Sequence, residues 1–549
     1  MRLVPLGKTW DEVHGAFRWN LPERFNIAEV VCDRWADDHD RVALIYEGPD
    51  HDVRTFTFRD MQALANRFAN AARTAGLKPG DRVLILLGQT PETAAAHLGC
   101  WKSGLISIPS SVLFGPDALA YRVEAAGVSL VITDTANAAK FAGLRDSLPS
   151  LKVVWTIDGA IDGTEDFHDH LFAADSSFTT LASGPRDPAL MLFTSGTTGN
   201  PKAALHGHGI LLNHVAGIEF SLNGFPQDGD VMWSPADWAW IAGLLVVLMP
   251  AWYHGVPVVA HRPAGRFDAE AAYALMGRHR VSVALLVPTM LKMMRNLPGA
   301  AARHGVRLRV INSGGESLGA ETMTWAQQEL GCPVNEIYGQ TECNLVLGNC
   351  STVLEPRPGS LGKALPGHTV AIIDDKGREL GVDELGHIAV RRPDPAMMLE
   401  YWGRPDATAD KYIGDWLITG DLGTRDADGY FWYRGRSDDV ITSAGYRIGP
   451  GEIEDALIRH PAVALAAAIG VPDPVRTETV KAFLVLRPGF EPTDALAGEI
   501  SAFVRHHLAA HEYPREIAFV TDLPMTTTGK VMRRSLREQE AERRAAAQG

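Results

Sequence analysis

The sequence predicts an α/β fold in three parts, and three changes in pattern along the 549 residues support this. Short apolar runs alternate with helical stretches over the first four hundred residues, which indicates layered sheets with largely parallel strands. Short strands among Gly, Pro and Asp turns follow over about residues 359–433 and predict a small β-barrel subdomain. The last 110 or so residues suit a small, mobile α+β domain. We expect domains at 1–437 and 438–549, with a hinge within residues 435–439.

The first part begins with a predicted strand at 42–46 and a helix that starts after Thr57. Asp60 stands three residues later, as in a capping box, and Gly76 suits the helix end. The helix should bury an apolar face made of Met61, Leu64, Ala65, Phe68 and Ala72. A strand at 83–87 and a helix at 91–104 follow. Further strands are predicted at 129–133, 152–157, 256–260, 281–287 and 308–312.

The later parts contain shorter predicted elements. Strands at 369–373, 387–391 and 431–433 belong to the expected barrel-like subdomain. The C-terminal domain should contain helices at 452–460 and 494–508 and strands at 463–471, 481–486 and 517–520. The segment 533–544 mixes charges of both signs and predicts a solvated helix.

Composition excludes several classes of protein. The formal charge is −14, from 52 basic and 66 acidic residues, so we expect neither nucleic-acid binding nor attraction to anionic membranes. The five cysteines form no C-x-x-C pair, which favours a reducing compartment. The N-terminus lacks the apolar core of a signal peptide, and the apolar run 241–252 is too short to span a bilayer. We expect a cytoplasmic protein without membrane insertion, and the sequence leaves its oligomeric state open.

Residues 194–202 read Thr-Ser-Gly-Thr-Thr-Gly-Asn-Pro-Lys and directly follow an apolar run. Backbone amides freed by glycine, together with hydroxyl groups, form a nest for an anion, and Lys202 adds a positive charge. The spacing differs from a Walker motif, because the residue five positions after Gly196 is Pro201. The loop therefore predicts polyphosphate binding, with an ordinary polar surface loop as the alternative.

Three further motifs carry suitable chemistry. Tyr338-Gly339-Gln340-Thr341-Glu342 offers an aromatic face, hydrogen-bonding groups and a carboxylate suited to Mg²⁺. Thr419-Gly420-Asp421 places a carboxylate at a turn, where it could accept ribose hydroxyls. Thr526-Thr527-Thr528-Gly529-Lys530 presents a lysine on a glycine loop. Each motif taken alone is also compatible with a plain loop.

One motif points to a different chemistry. Residues 315–319, Gly-Glu-Ser-Leu-Gly, match the G-x-S-x-G nucleophile elbow between a predicted strand and a predicted helix at 321–330. An α/β-hydrolase using Ser317 is therefore an alternative, but it gives no role to the phosphate loop or to Lys530.

Taken in order, the motifs resemble those of the adenylate-forming superfamily of acyl-CoA synthetases over roughly residues 30–540. The stretches 443–450 and 472–476 are most similar to medium-chain acyl-CoA synthetases. Met525 departs from the family pattern, which often has lysine there, but Gly529-Lys530 is intact. The resemblance implies ATP-dependent conversion of a carboxylic acid to an acyl-adenylate and then to the acyl-CoA, with ATP, Mg²⁺ and coenzyme A required. A ligase that loads a carrier protein, or a non-catalytic nucleotide sensor, are alternatives.

The resemblance also implies residue roles, with Asp438 at the hinge between the two domains. Lys530, Thr341 and Glu342 would be catalytic, with Glu342 as the metal ligand. The nucleotide would contact Thr194, Ser195, Gly196, Thr197, Thr198, Gly199, Lys202, Gly315, Glu316, Glu336, Ile337, Tyr338, Gly339, Gln340, Thr341, Asp421, Arg436 and Arg447. Coenzyme A would contact Ala444, Gly445, Tyr446, Arg476, Arg505, Tyr513, Pro514 and Arg515.

The acyl pocket is expected at Trp240, Gly314 and Gly339. Acetate-specific relatives have tryptophan at the position that matches Gly339. The resemblance therefore implies a short- to medium-chain, branched or aromatic acid larger than acetate.

Overall fold

A computed structural model describes residues 2–141, 147–194, 201–262, 267–316, 318–436, 439, 441–443, 446–473, 477–508, 513–525 and 531–548. The chain forms two compact units. The first contains Met1–Thr369 and Val390–Asp415, and the second contains Val370–Ala389 and Trp416–Gly549. The predicted boundary at Asp438 lies outside the described residues. The domain limits and the barrel-like subdomain therefore stay predictions.

The strands are numbered along the chain. They are β1 (Val42–Glu47), β2 (Val53–Thr57), β3 (Arg82–Leu86), β4 (Ile106–Pro109), β5 (Val128–Thr133), β6 (Val153–Thr156), β7 (Glu165–Asp166), β8 (Pro188–Thr194), β9 (Lys202–Gly207), β10 (Met232–Trp233), β11 (Val258–His261), β12 (Val283–Leu285), β13 (Val310–Gly314), β14 (Val334–Gln340), β15 (Asn344–Gly348), β16 (Ser360–Ala364), β17 (Val370–Ile373), β18 (Gly386–Arg391), β19 (Glu400–Tyr401), β20 (Tyr412–Ile413), β21 (Trp416–Arg425), β22 (Phe431–Arg436), β23 (Ile441–Ser443), β24 (Tyr446–Ile448), β25 (Val463–Asp473), β26 (Thr477–Leu486) and β27 (Glu516–Phe519).

The α-helices are numbered in the same way. They are α1 (Trp10–Ala16), α2 (Ile27–Val31), α3 (Phe58–Thr74), α4 (Pro91–Lys102), α5 (Pro116–Ala126), α6 (Thr135–Ala138), α7 (Phe167–Ala173), α8 (Ile210–Ser221), α9 (Met249–Tyr253), α10 (Ala269–Arg278), α11 (Pro288–Met294), α12 (Ala300–Arg303), α13 (Ala320–Glu329), α14 (Pro405–Ala409), α15 (Pro450–Ile458), α16 (Asp494–His507) and α17 (Arg533–Gln548).

Two large sheets form the first unit. One has the strand order β16-β15-β14-β13-β12-β10-β11-β1-β2, and the other has the order β19-β9-β8-β4-β3-β5-β6-β7. Neighbours from β14 to β1 in the first sheet, and from β8 to β7 in the second, run parallel. Parallel strands need crossover connections, and the helices between these strands provide them. The prediction of parallel α/β layers is confirmed.

Local signals placed several elements accurately. At the start of α3, Thr57 accepts a hydrogen bond from the Asp60 amide, and the Asp60 carboxylate accepts one from the Thr57 amide, which completes the capping box. Met61, Ala65, Phe68 and Ala72 are buried as expected. The sequence shows the segment 242–248 only as part of an apolar run, and in the structure this segment forms a π-helix.

The second unit is built from smaller sheets. Strands β21 and β22 pair antiparallel next to β18 and β17. A separate sheet has the order β24-β23-β26-β25, and β27 pairs parallel with β26. Ile453, Leu457, Ile500 and Val504 from α15 and α16 are buried against this sheet. The predicted α+β character of the C-terminal part, and the fold class as a whole, are confirmed.

In the part of the chain that the structure describes, every helix is too short or too polar to cross a membrane.

Candidate active site

The predicted phosphate loop joins two antiparallel strands of the first unit. Thr194 is the last residue of β8 and pairs with Lys202, the first residue of β9. The Thr194 hydroxyl donates to the Lys202 carbonyl at 3.4 Å, and the Tyr121 hydroxyl donates to the Pro201 carbonyl at 3.0 Å. Both ends of the loop are therefore fixed by the fold.

The second motif forms a tight hairpin between β14 and β15. Gln340 pairs with Asn344, so Thr341 and Glu342 lie in the turn, both half-buried. Asn344 has a φ of 56°, which is unusual for a residue with a side chain. Its side chain is fixed by His214, whose Nε2 lies 3.0 Å from Oδ1, and by a hydrogen bond to the Ala396 carbonyl. The turn that carries Glu342 is therefore held from both sides.

Tyr401 brings the two motifs together. Its hydroxyl donates to Glu342 Oε1 at 2.5 Å, and the Lys202 ammonium lies 5.2 Å from the centre of its ring. Tyr401 reaches this position because β19 pairs with β9, with Tyr401 opposite Ala204. A cation of the phosphate loop and the predicted metal-binding carboxylate thus meet at one buried aromatic side chain.

A network of buried polar side chains contacts the hairpin at β15. The Asn213 amide group donates to the Leu345 carbonyl at 2.9 Å and lies 2.9 Å from His368 Nε2. The other ring nitrogen of His368 lies 2.6 Å from Asp394 Oδ2. The Asn213, His368 and Asp394 side chains are almost completely buried. Such networks restrict a backbone to one position when their groups are paired.

Residues assigned to the nucleotide and to the acyl pocket lie at the carboxyl ends of two adjacent parallel strands. Gly314 ends β13 and pairs with Ile337 of β14, and Ser313 pairs with the buried Glu336. The Glu316 carboxylate accepts a hydrogen bond of 2.7 Å from the Thr289 hydroxyl, at the start of α11. Ligands of open α/β sheets bind at such strand ends.

The backbone of β15 lies close to Gly339. A Cβ atom at this position would lie 1.7 Å from the Asn344 carbonyl oxygen and 3.0 Å from the Leu345 Cα. The glycine is therefore needed where β14 approaches β15. The expectation that glycine at this position admits an acid larger than acetate rests on the resemblance and remains a prediction. The assignment of Gly339 to the pocket remains a prediction.

The other predicted pocket residue, Trp240, is half-buried and packs edge to face against Phe114, with ring centres 6.0 Å apart. Its neighbour Trp238 is a buried core residue. Burial raises the pKa of Asp237 to about 6, although hydrogen bonds from the Ala239 and Trp238 amides partly oppose this shift. Trp240, which packs against Phe114, and Asp237, whose carboxyl pKa is raised, therefore both lie just before the π-helix in the sequence.

In the second unit, Asp421 and Arg436 are opposite each other on β21 and β22. Arg436 Nη1 lies 3.3 Å from Asp421 Oδ1. Gly420 has a φ of 80°, and the Thr419 hydroxyl accepts a hydrogen bond from the Asp421 amide at 3.1 Å. The T-G-D motif therefore fixes the Asp421 backbone, and the side chain is almost completely buried.

Four predicted coenzyme A residues also cluster in the second unit. The guanidinium carbons of Arg505 and Arg515 lie 5.3 Å and 4.7 Å from the centre of the Tyr513 ring. The Arg515 amide donates to the Val480 carbonyl, and the Pro514 carbonyl accepts from the Ser501 hydroxyl. Two cations therefore flank one aromatic ring beside α16 and β26.

Several predicted residues lie outside the described parts of the chain. They are Ser195, Gly196, Thr197, Thr198, Gly199, Ser317, Asp438, Ala444, Gly445, Arg476 and Lys530. For Tyr446 and Arg447 the structure describes the backbone, which belongs to β24.

The sequence-based reasoning missed Tyr401, Asn213, His368 and Asp394. Each is a lone polar or aromatic residue in an ordinary local pattern, without a motif around it. A local signal for Tyr401 would have been the polar Glu400 beside it in an otherwise apolar segment, which is too weak to select one residue.

Comparison with known proteins identifies the family. The model of the AMP-binding enzyme family matches residues 32–402, and the model of the AMP-binding enzyme C-terminal domain matches residues 452–530. The chain therefore belongs to the AMP-binding enzyme family.

Individual relatives match over nearly their whole length. The human mitochondrial acyl-coenzyme A synthetase ACSM1 is 34% identical, over 96% of this chain and 93% of its own. The acetyl-coenzyme A synthetase of Bacillus subtilis is 34% identical with the same coverage of 96% and 93%. The anthranilate CoA ligase AuaEII, in its crystal structure with anthranoyl-AMP, has 28% sequence identity to this chain. The two structures match with a TM-score of 0.87 over 96% of this chain and 99% of that one.

Proposed function

We propose that this protein is an AMP-forming acyl-CoA synthetase. It uses ATP to convert a carboxylic acid to an acyl-adenylate and pyrophosphate, and then transfers the acyl group to coenzyme A with release of AMP. Family membership and the names of the relatives support this reaction. The observation in the structure that carries the proposal is the meeting of Lys202 and Glu342 at Tyr401, because it joins the predicted phosphate loop to the predicted metal-binding carboxylate.

The first step joins two anions, so its barrier is largely electrostatic. The acid's carboxylate attacks the α-phosphorus of ATP, and pyrophosphate leaves. We assign Lys202 to the ATP phosphates and Lys530 to the acid and the α-phosphate. Fixed positive groups of this kind typically contribute about 10²–10³ in rate each.

The donor set near Glu342 suits Mg²⁺ bound together with ATP. Among the described residues, His, Cys, Asp and Glu form no group of three that could hold a metal by itself. Mg²⁺ usually takes one or two carboxylates and completes its shell with water and substrate phosphates. Glu342 would hold the ion, which would neutralise the charge that develops on the phosphates.

We assign Asp421 and Arg436 to the ribose of the nucleotide. A carboxylate fixed by a T-G-D turn can accept hydrogen bonds from both ribose hydroxyls. The Arg436 guanidinium, 3.3 Å from Oδ1, holds the orientation of this carboxylate.

We assign Arg505, Tyr513 and Arg515 to coenzyme A. Guanidinium groups bind phosphates through paired hydrogen bonds, and an aromatic ring offers a face to the adenine. The cluster around Tyr513 provides both kinds of group.

For the acid we propose a short- to medium-chain, branched or aromatic substrate that packs against Trp240. The Trp240–Phe114 pair supports an apolar pocket at this place. We also propose a cytoplasmic location, which is supported by five buried cysteines that are all free.

The function is tested by measuring pyrophosphate release and loss of the coenzyme A thiol with acetate, butyrate, hexanoate, 2-methylpropanoate and benzoate. We expect both signals to require ATP and an acid, and to be stronger for at least one larger acid than for acetate. Lys530→Ala should lower pyrophosphate release by roughly 10²–10³. Ser317→Ala should leave it within about twofold of the wild type, as expected for a residue outside the reaction.

The alternatives give different results. Activity that survives Lys530→Ala but is lost in Ser317→Ala would indicate a hydrolase. Pyrophosphate release without loss of the coenzyme A thiol would indicate a ligase that loads a carrier protein. Nucleotide binding without pyrophosphate release for any acid would indicate a sensor.

A further inference from the structure

We propose that Tyr401 is a positioning residue that sets the metal-binding carboxylate and the phosphate-loop lysine relative to each other. The inference rests on the proposed function, and it adds a residue outside every motif that led to that function. Tyr401 is 3% exposed and touches both groups.

The first contact orients Glu342. A carboxylate has two oxygens, and the Tyr401 hydroxyl donates to Oε1 at 2.5 Å. Hydrogen bonds to ionised acceptors are short and strong, so this contact fixes the rotation of the carboxylate. With Oε1 committed to the hydroxyl, Oε2 becomes the oxygen that a cation would use.

The second contact involves the face of the same ring. The Lys202 ammonium lies 5.2 Å from the ring centre, within the range of a cation–π interaction. A lysine side chain has several rotatable bonds and is costly to order. The ring reduces this cost by giving the ammonium a preferred position before a polyphosphate arrives.

The backbone around Tyr401 prevents the ring from moving away. The Leu399 and Trp402 amides donate to the Leu205 and Ala203 carbonyls of β9, at 2.7 Å and 2.8 Å. The Tyr401 amide donates to the Thr408 hydroxyl at 2.9 Å. The Met398 amide donates to the Glu342 carbonyl at 2.9 Å, so the segment is bonded to both motifs. Tyr401 is thus carried by the sheet that carries Lys202, and one further hydrogen bond ties its segment to the turn that carries Glu342.

The two contacts can be separated by substitution. Tyr401→Phe removes the hydroxyl and keeps the ring, so it tests only the contact with Glu342. Tyr401→Leu removes both contacts. Tyr273→Phe is the matched control, because Tyr273 is fully buried in the same unit and its hydroxyl donates to the Met294 carbonyl at 3.3 Å.

Metal binding is measured by electron paramagnetic resonance with Mn²⁺, in the presence of ATP and without an acid. We expect Tyr401→Phe to weaken Mn²⁺ binding about tenfold, as for a lost hydrogen bond to a charged group. The KM for ATP at saturating Mg²⁺ should change less than about twofold in this variant, because the cation–π contact remains. Tyr401→Leu should weaken Mn²⁺ binding equally and also raise the KM for ATP by about threefold or more.

Two results would overturn the inference. One is that Tyr401→Phe binds Mn²⁺ as tightly as the wild type, and the other is that Tyr273→Phe weakens Mn²⁺ binding as much as Tyr401→Phe does. Tyr401→Phe removes a single oxygen atom, so it tests the contact with Glu342 even if Tyr401→Leu does not fold. The proposed function fails in a different way, which is the absence of acid-dependent pyrophosphate release by the wild type. An active wild type with unchanged metal binding in Tyr401→Phe would remove only the role of Tyr401.

Discussion

The glycine at position 339 shows how one atom can decide the conformation of the candidate site. A Cβ there would lie 1.7 Å from the Asn344 carbonyl oxygen. Gly339→Ala therefore has to separate β14 from β15 next to Glu342. Overpacking of this kind typically costs about 1–3 kcal/mol or more. We expect a lower free energy of unfolding in urea, together with a loss of pyrophosphate release that exceeds about tenfold, in line with a shift of roughly 1 Å at a reacting centre.

Gly498→Ala is the matched control for this variant. Gly498 lies within α16, and a Cβ atom added there would have no neighbour within 4 Å, so alanine should stabilise the helix by about 0.5–1 kcal/mol. Equal unfolding free energies for Gly339→Ala and the wild type would show that the hairpin can widen without cost.

The residues of the site differ in how far the sequence could reveal them. Lys202 and Glu342 belong to dense motifs, so their chemistry could be inferred from neighbours in the chain. Tyr401 could not, because its role depends on contacts with residues 59 and 199 positions away along the chain. The position of Gly339 against β15 was likewise invisible, because strand register is set by long-range pairing.

At the scale of elements, a buried ionic cluster ties β1 to α10. Glu47 ends β1 and is almost completely buried, and its carboxylate contacts Arg278, His279 and His51 at 2.6–3.0 Å. Burial alone would raise the pKa of Glu47, but the hydrogen bonds from His51, His279 and Arg278 lower this pKa to about 2. The cluster therefore stabilises the fold only while the carboxylate is ionised.

The lowered pKa predicts a definite pH dependence. The folded protein holds Glu47 ionised below the ordinary pKa of a glutamate, so the stabilisation is complete above about pH 4.5 and is lost as the pH falls toward 2. We expect Glu47→Gln to lower the free energy of unfolding at pH 7 by about 3 kcal/mol, and by much less near pH 2. Urea unfolding of both proteins between about pH 2 and pH 7 measures this difference.

Glu270→Gln provides the control. Glu270 also contacts an arginine and a histidine, Arg303 and His304, but on the surface. Exposed ion pairs contribute little, so its effect should be small at every pH. A Glu47→Gln effect that stays constant over the whole pH range would contradict the role of ionisation.

The elements themselves were predictable to different degrees for a physical reason. The start of α3 depends on Thr57 and Asp60, which are three residues apart, and the sequence predicted it. The chain Asn213–His368–Asp394 joins residues that lie far apart in sequence, and only the folded structure reveals it. Hydrogen bonds between near neighbours in sequence can be predicted from the sequence. The Asn213–His368–Asp394 chain forms only when distant segments come together in the fold.

At the scale of the whole molecule, the compact units are not continuous in the sequence, and the predicted domain limits stay predictions. The second unit includes Val370–Ala389, which the chain reaches before it returns to the first unit at Val390. Composition along a chain cannot show such an exchange, because both segments consist of similar short strands and turns. The family models agree with the order of the parts, since they match residues 32–402 and 452–530.

Within the second unit, Asp439 is held in an ionic network next to the proposed hinge residue. Arg533 Nη1 and Arg537 Nη2 lie 3.3 Å and 2.9 Å from its carboxylate, and Arg533 also binds Glu454 through two nitrogens. The network joins Asp439 to the middle of α15 and to the start of α17. A rotation that keeps these ion pairs intact would have to be taken up at position 438 or before it.

Substitution of Asp438 tests whether the two half-reactions require different backbone angles there. Proline fixes φ near about −65° and restricts the preceding residue, whereas alanine leaves the backbone free. We expect Asp438→Pro to retain one half-reaction and to reduce the other by about tenfold or more, while Asp438→Ala retains both. Adenylation is measured by ATP–pyrophosphate exchange, and thioester formation by the reaction of coenzyme A with a supplied acyl-adenylate. Because proline restricts the chain without removing a group that touches either substrate, equal impairment of both half-reactions by Asp438→Pro would mean that the hinge does not distinguish them.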